Sequence, residues 1–137
     1  MIITDITQID SIAEETFGKT KGTVPVDMKD YAFIKEHSES LKAIRLGVSA
    51  LTEDAVLALD GAISEAGNEN VNNLLLYITG NGSDLGVRSI KMEQFNMLNG
   101  LFNKHIDTAN IIWGMGDDKE NNENLSILIL LGYGKRE

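Results

Sequence analysis

The chain has 137 residues, a length that predicts one domain with a single buried core. Its 12 basic and 21 acidic residues give a net charge of −9, which repels a phosphate backbone or an anionic lipid surface and argues against nucleic acid and membrane as partners. No cysteine is present, which excludes disulfide frameworks, thiolate zinc sites and cysteine nucleophiles and points to a cytoplasmic setting.

The N-terminal MIITDITQID has no basic residue ahead of an apolar core and does not read as a secretory signal. Residues 8 to 17 carry Ile9, Ile12, Ala13 and Phe17 at helical spacing, with Thr7 placed to cap the start and Gly18 the end. The next stretch, GKTKGTVPVD, is rich in breakers and reads as an exposed connection. A helix restarts at Asp27, which suits an N-cap with Asp30 in the first turn.

In LKAIRLGVS, Ile44, Leu46 and Val48 alternate with polar or small residues, the pattern of a half-buried first strand. From the N-cap Thr52, Val56, Leu59, Ile63 and Ala66 share one helical face that stops at Gly67. VNNLLLYIT, at 71 to 79, is apolar on both faces, as an interior strand should be.

That strand runs into Gly80, Gly82 and Gly86. The spacing G-x-G-x-x-x-G without a following Lys matches neither a dinucleotide fingerprint nor a P-loop, so a plain strand-to-helix turn with glycines at positive φ is expected. A small anion received at the N-terminus of the next helix is the alternative use of this turn.

Phe95, Leu98, Phe102 and Ile106 mark a second amphipathic helix, and ANIIWG, at 109 to 114, reads as another interior strand, with Trp113 expected in the core. The polar loop GMGDDKENNEN joins it, as a hairpin, to a last strand at 125 to 133. Counted from Asp117, the EF-hand positions for Gly and Glu hold Asn122 and Leu128, so no calcium loop and no metal site is expected. LSILILLGY is far shorter than the ~20 residues a membrane helix needs. His37 and His105 lack a nucleophile or third ligand at a recognisable spacing and are expected at the surface or its boundary.

NNLLLYITGNGSDLG, DTANIIWGMGDD and LSILILLGY together resemble the C-terminal domain of the bacterial tubulin homologue FtsZ. There an apolar strand ends in ITGG-D-L, a helix follows, then a D-ANIIFG strand and a last strand. Upstream, GVSALTEDAVLALDGAI is similar to that family's G-G-SG-DRA-EAA-AI segment, and VPVDMKD falls where it carries an N-x-D-F-x-D loop. The resemblance implies an α+β fold: a mixed four-stranded sheet with two packed helices, in the order strand, helix, strand, helix, strand, strand. It divides the chain into an N-terminal helix and connection at 1–23 and an FtsZ C-terminal-like domain at 24–137. It also implies that Gly80, Gly82 and Gly86 form a structural turn, because in that family the turn does not hold the guanine nucleotide.

In FtsZ the N-x-D-F-x-D loop of one subunit reaches the nucleotide of its neighbour, where its acidic residues position the attacking water. Asp27 and Asp30 match the two acidic positions, while Pro25 stands in place of Asn and Met28 in place of Phe. No GGGTGTG-like loop of the family's nucleotide-binding domain occurs in the sequence, so the chain is expected to be the second domain alone, with no cofactor and no GTPase of its own. The expected function is a non-enzymatic interaction module that docks on a full-length FtsZ subunit through Pro25, Asp27, Met28 and Asp30 and caps or modulates the filament in cell division. The alternative is self-association through the helices or the last strand, covering an apolar face left by the missing domain.

Overall fold

Every stretch with strand patterning enters a single sheet. The computed structural model describes residues 1–19, 21–24, 26–106 and 109–134. In chain order the elements are β1 (Ile2–Ile3), α1 (Ile6–Lys19), β2 (Lys21–Val24), α2 (Met28–Glu36), β3 (Ser40–Val48), α3 (Glu53–Ala66), β4 (Val71–Gly80), a short 3-10 turn (Val87–Ser89), α4 (Met92–His105), β5 (Asn110–Asp117) and β6 (Leu125–Tyr133). The sheet is six-stranded in the order β1-β3-β6-β4-β5-β2.

The expected strand, helix, strand, helix, strand, strand core is present as β3-α3-β4-α4-β5-β6, and its sheet is mixed. β4 and β5 run parallel, which requires the long crossover that α4 supplies, whereas β6 pairs antiparallel with both β3 and β4. The closing pair is therefore not a hairpin. β5 and β6 lie on opposite sides of β4, and the polar connection carries the chain from one flank to the other.

The N-terminal residues are built into the same sheet. β1 pairs with Ala43 and Ile44, and β2 pairs with Met115 to Asp117, so part of the stretch expected as an exposed connection is an edge strand.

Local chemistry fixes the helix ends. Thr52 Oγ1 accepts from the Ala55 N–H at 3.2 Å, and Gly67, at φ 93°, closes α3 by returning its N–H to Ile63 O. α1 begins two residues earlier than expected: the Asp5 carboxylate, not Thr7, caps it by accepting from the Thr7 N–H at 2.9 Å. Gly18 lies within this helix, which extends to Lys19.

The sheet is covered on both faces. On one, Leu59, Ile63, Leu98 and Phe102 from α3 and α4 pack on Leu74, Leu76, Ile127 and Ile129. On the other, Ile9, Ala13, Tyr31 and Ile34 from α1 and α2 pack on Leu75, Tyr77, Leu128 and Leu130. Phe17 meets Tyr77 edge-on at 5.3 Å, which ties the end of α1 to the sheet. Covering both faces explains the unbroken apolar runs of β4 and β6.

Candidate functional site

The segment expected to carry function lies where β2 passes into α2. Val26 is buried in the core beneath α1 and α2, while Asp27, Met28 and Lys29 are exposed. Pro25 lies outside the described residues. Asp27 and Asp30 form a reciprocal capping box. Asp27 Oδ1 accepts from the N–H groups of Lys29 and Asp30 at 2.9 and 3.3 Å, and Asp30 Oδ2 accepts from the Asp27 N–H at 2.9 Å.

The helix-cap role read from sequence is thus present, and it also fixes where the acidic groups point. Each carboxylate uses one oxygen on the backbone, and among the described residues the second has no protein partner. Met28, 38% exposed, sits between them in sequence as an apolar contact at the tip.

α2 is held in place by its other face. Tyr31 Oη donates to Asp10 Oδ1 of α1 at 2.5 Å, and Lys35 Nζ reaches the same carboxylate at 3.1 Å. The Tyr31 hydrogen bond, aided by Lys35, holds the Asp10 carboxyl below the usual carboxylate range. Burial, with the Asp10 contact second, pushes the Tyr31 phenol above its ordinary value. With Ile34 fully buried, these contacts orient the start of α2 rigidly relative to the sheet.

The three glycines of the turn meet different backbone demands. Only Gly82 has positive φ, at 81°. Gly80 is required by close approach, since a Cβ there would lie 2.8 Å from both Asp117 Oδ1 and the Val87 N. Gly86 has φ −85° and is crowded by Ser83 O and Asn81 N at 3.2 and 3.3 Å from a would-be Cβ.

Several donors of the turn are used within it. Ser83 donates its N–H and hydroxyl to Asn81 Oδ1, Leu85 N–H goes to Ser83 Oγ, and Gly86 N–H goes to Ser83 O. The element that follows is the three-residue 3-10 turn, and α4 starts only at Met92.

Of the aromatic and imidazole side chains, Trp113 differs from expectation and His105 lies at the boundary as expected. Trp113 is 47% exposed and not in the core, because β5 lies towards the sheet edge; its ring sits 6.0 Å from that of Phe95 of α4. His105, whose side chain is 7% exposed, is bonded through Nε2 to Asp60 Oδ1 of α3. Asn68 Nδ2 donates to its Nδ1 at 3.0 Å, which leaves the ring proton on Nε2, facing Asp60. The other histidine, His37, is exposed as expected and stacks on Phe33 at 4.2 Å.

Beyond these lies a polar cleft of about 610 Å³ between α1 and the β5–β6 connection, lined by Glu15, Arg45, Asp118, Glu123 and Ser126 among others. Among the described residues no three His, Asp or Glu side chains converge as a metal site requires, and no helix is long and apolar enough to cross a membrane.

Over 82% of this chain the backbone is similar to FtsZ from M. jannaschii, solved as an empty dimer, with a TM-score of 0.54. The fold is like that of the FtsZ C-terminal domain. TubZ of Bacillus thuringiensis serovar israelensis is similar over 96% of the chain, with TM-scores of 0.55 in its GDP-form protofilaments and 0.54 in a GTPγS-form protofilament. Sequence identity is 13 to 14%, so the likeness is one of fold. The FtsZ-like chain spans 32 to 41% of the length of these proteins, consistent with the C-terminal-like domain that its motifs resemble. No protein-family profile matches the sequence, and no curated protein matches it.

Proposed function

We propose that this chain is a non-enzymatic interaction module that docks on a subunit of an FtsZ-type filament in cell division, capping the filament or modulating its GTPase. The observation that carries this reading is the exposed turn Asp27–Asp30, held rigid by its capping box on a fold whose solved relatives include a dimer and protofilaments. Positioning and electrostatics are most of what phosphoryl transfer asks of a protein. Two fixed carboxylates can therefore act on a nucleotide held by a partner while the chain itself has no turnover.

The test is GTP turnover and pelleting of the host's full-length FtsZ with this chain titrated in. A dose-dependent change is expected, and Asp27→Asn with Asp30→Asn should abolish it, because Asn retains much of the cap and removes the charge. Absence of any effect at stoichiometric excess would overturn the reading.

A further inference from the structure

Each outer flank of the sheet is covered by a short strand over only part of its length. On the β3 side, β1 covers Ala43 and Ile44, and the flanking positions hold Lys42 and Arg45, charges of the kind that discourage strand addition. On the other side, β2 pairs only with Met115 to Asp117. Over Asn110–Gly114, β5 is bound to β4 on its inner edge, and none of the described residues gives a backbone partner to its outer edge.

This stretch has no proline and no charge. The whole run Ala109–Gly116 lacks an ionisable side chain in a molecule of net charge −9. Ile111 and Trp113, at 43% and 47% exposure, stand on the same face of it, level with Leu74 and Leu76 of β4.

We infer that the outer edge of Asn110–Gly114 pairs antiparallel with the same segment of a second copy of this chain, joining two sheets into one. Three features select a second copy. The pairing is reciprocal: a two-fold axis at Ile112 sets Ile111 opposite Trp113 of the other copy, and the reverse, and β-branched against aromatic is a favourable cross-strand pair. The gap is five residues long, closed at one end by β2, so it fits the uncharged segment itself and stops a longer strand. Finally, two molecules that each carry −9 approach at least cost where neither presents a carboxylate. The pairing uses none of the Asp27–Asp30 side chains, so a chain that stays monomeric could still change FtsZ turnover through that turn, and the two failures are read by different experiments. The last strand cannot serve instead, because β6 is paired on both sides.

The experiment is sedimentation equilibrium of the full chain and two exposed-face double variants, with folding checked by circular dichroism. Wild type should show a concentration-dependent monomer–dimer equilibrium. Ile111→Lys with Trp113→Lys sets lysine against lysine in both cross-strand pairs and should weaken the dimer at least about tenfold, whereas Ile111→Lys with Trp113→Glu sets opposite charges together and should dimerise more tightly than the double lysine. A wild-type monomer at all concentrations, or a dimer indifferent to the double lysine, would overturn the inference. Equal dimerisation by the two double variants would overturn the register.

Discussion

Leu75 and Leu76 are neighbours in β4, both at most 5% exposed, and they belong to different cores. Leu75 points beneath α1 and α2, and Leu76 points beneath α3 and α4. A sheet with only two packed helices would leave one of these two leucines against solvent. The second layer, made by α1 and α2, is what turns the N-terminal third of the chain into part of the domain.

The two truncations Leu75→Ala and Leu76→Ala should accordingly be of the same order, each costing about 2 to 5 kcal/mol in chemical denaturation. A cost for Leu75→Ala well under 1 kcal/mol would mean that α1 and α2 do not cover the sheet in solution.

Asp27 is tied to Asp30 by two reciprocal side-chain-to-backbone hydrogen bonds and to the Lys29 N–H by a third, so the choice of substitution decides what an experiment measures. Asp27→Ala should destabilise the chain by about 1 kcal/mol through loss of the cap, and Asp27→Asn by only a few tenths. Thermal or urea melts of the two variants check this directly. Equal stability of Asp27→Ala and wild type would show that the box is not formed in solution, and the alanine variant would then be a clean probe of docking.

Local signals carried most of the fold. Thr52 and Gly67 bound α3 because both act on groups within a few residues of themselves, and the ITG and ANII blocks identified β4 and β5. What failed was non-local. The polar run after Asp117 reads equally well as a hairpin or as a passage across β4, and only the pairing of β6 with both β3 and β4 distinguishes them. His105 and Asp60 are 45 positions apart, so nothing in spacing announces their bond. Trp113 sits in an apolar strand, and its exposure follows from the position of that strand in the sheet, which the sequence order does not encode. For the candidate site, the capping role of Asp27 and Asp30 was legible because it is a three-residue interaction.

Two glycines outside the turn argument test how tightly the layers fit. A Cβ on Gly132 would fall 2.2 Å from Ser38 Oγ and 3.2 Å from Ile34 Cγ2, and one on Gly80 would fall 2.8 Å from the Val87 backbone nitrogen. Gly132→Ala and Gly80→Ala should each cost about 1 to 3 kcal/mol by overpacking. At Gly61, within α3, nothing lies within 4 Å, and alanine there should stabilise the helix by up to about 1 kcal/mol. Denaturant midpoints for the three variants measured together give the ordering, and a destabilising Gly61→Ala would contradict it.

The Asp60 carboxylate receives two donors from the end of α4: His105 Nε2, and Lys104 Nζ at 3.0 Å. The hydrogen bond from His105, with that from Lys104 second, lowers its pKa below the ordinary 3.8. A carboxylate depressed in the folded state binds its proton more readily when unfolded. Its contribution is therefore complete above the ordinary value and drains away as pH falls through the lower folded value. Asp60→Asn should be less stable than wild type near neutrality and should lose less stability on going from about pH 5 to pH 2. Asp10, lowered chiefly by Tyr31, adds a second acid-labile contribution of the same sign, so the variant's acid limb should be shallower but not flat. Urea midpoints measured at several pH values read both effects, and acid limbs of identical slope in Asp60→Asn and wild type would show that the α3–α4 contact does not hold this carboxylate in solution.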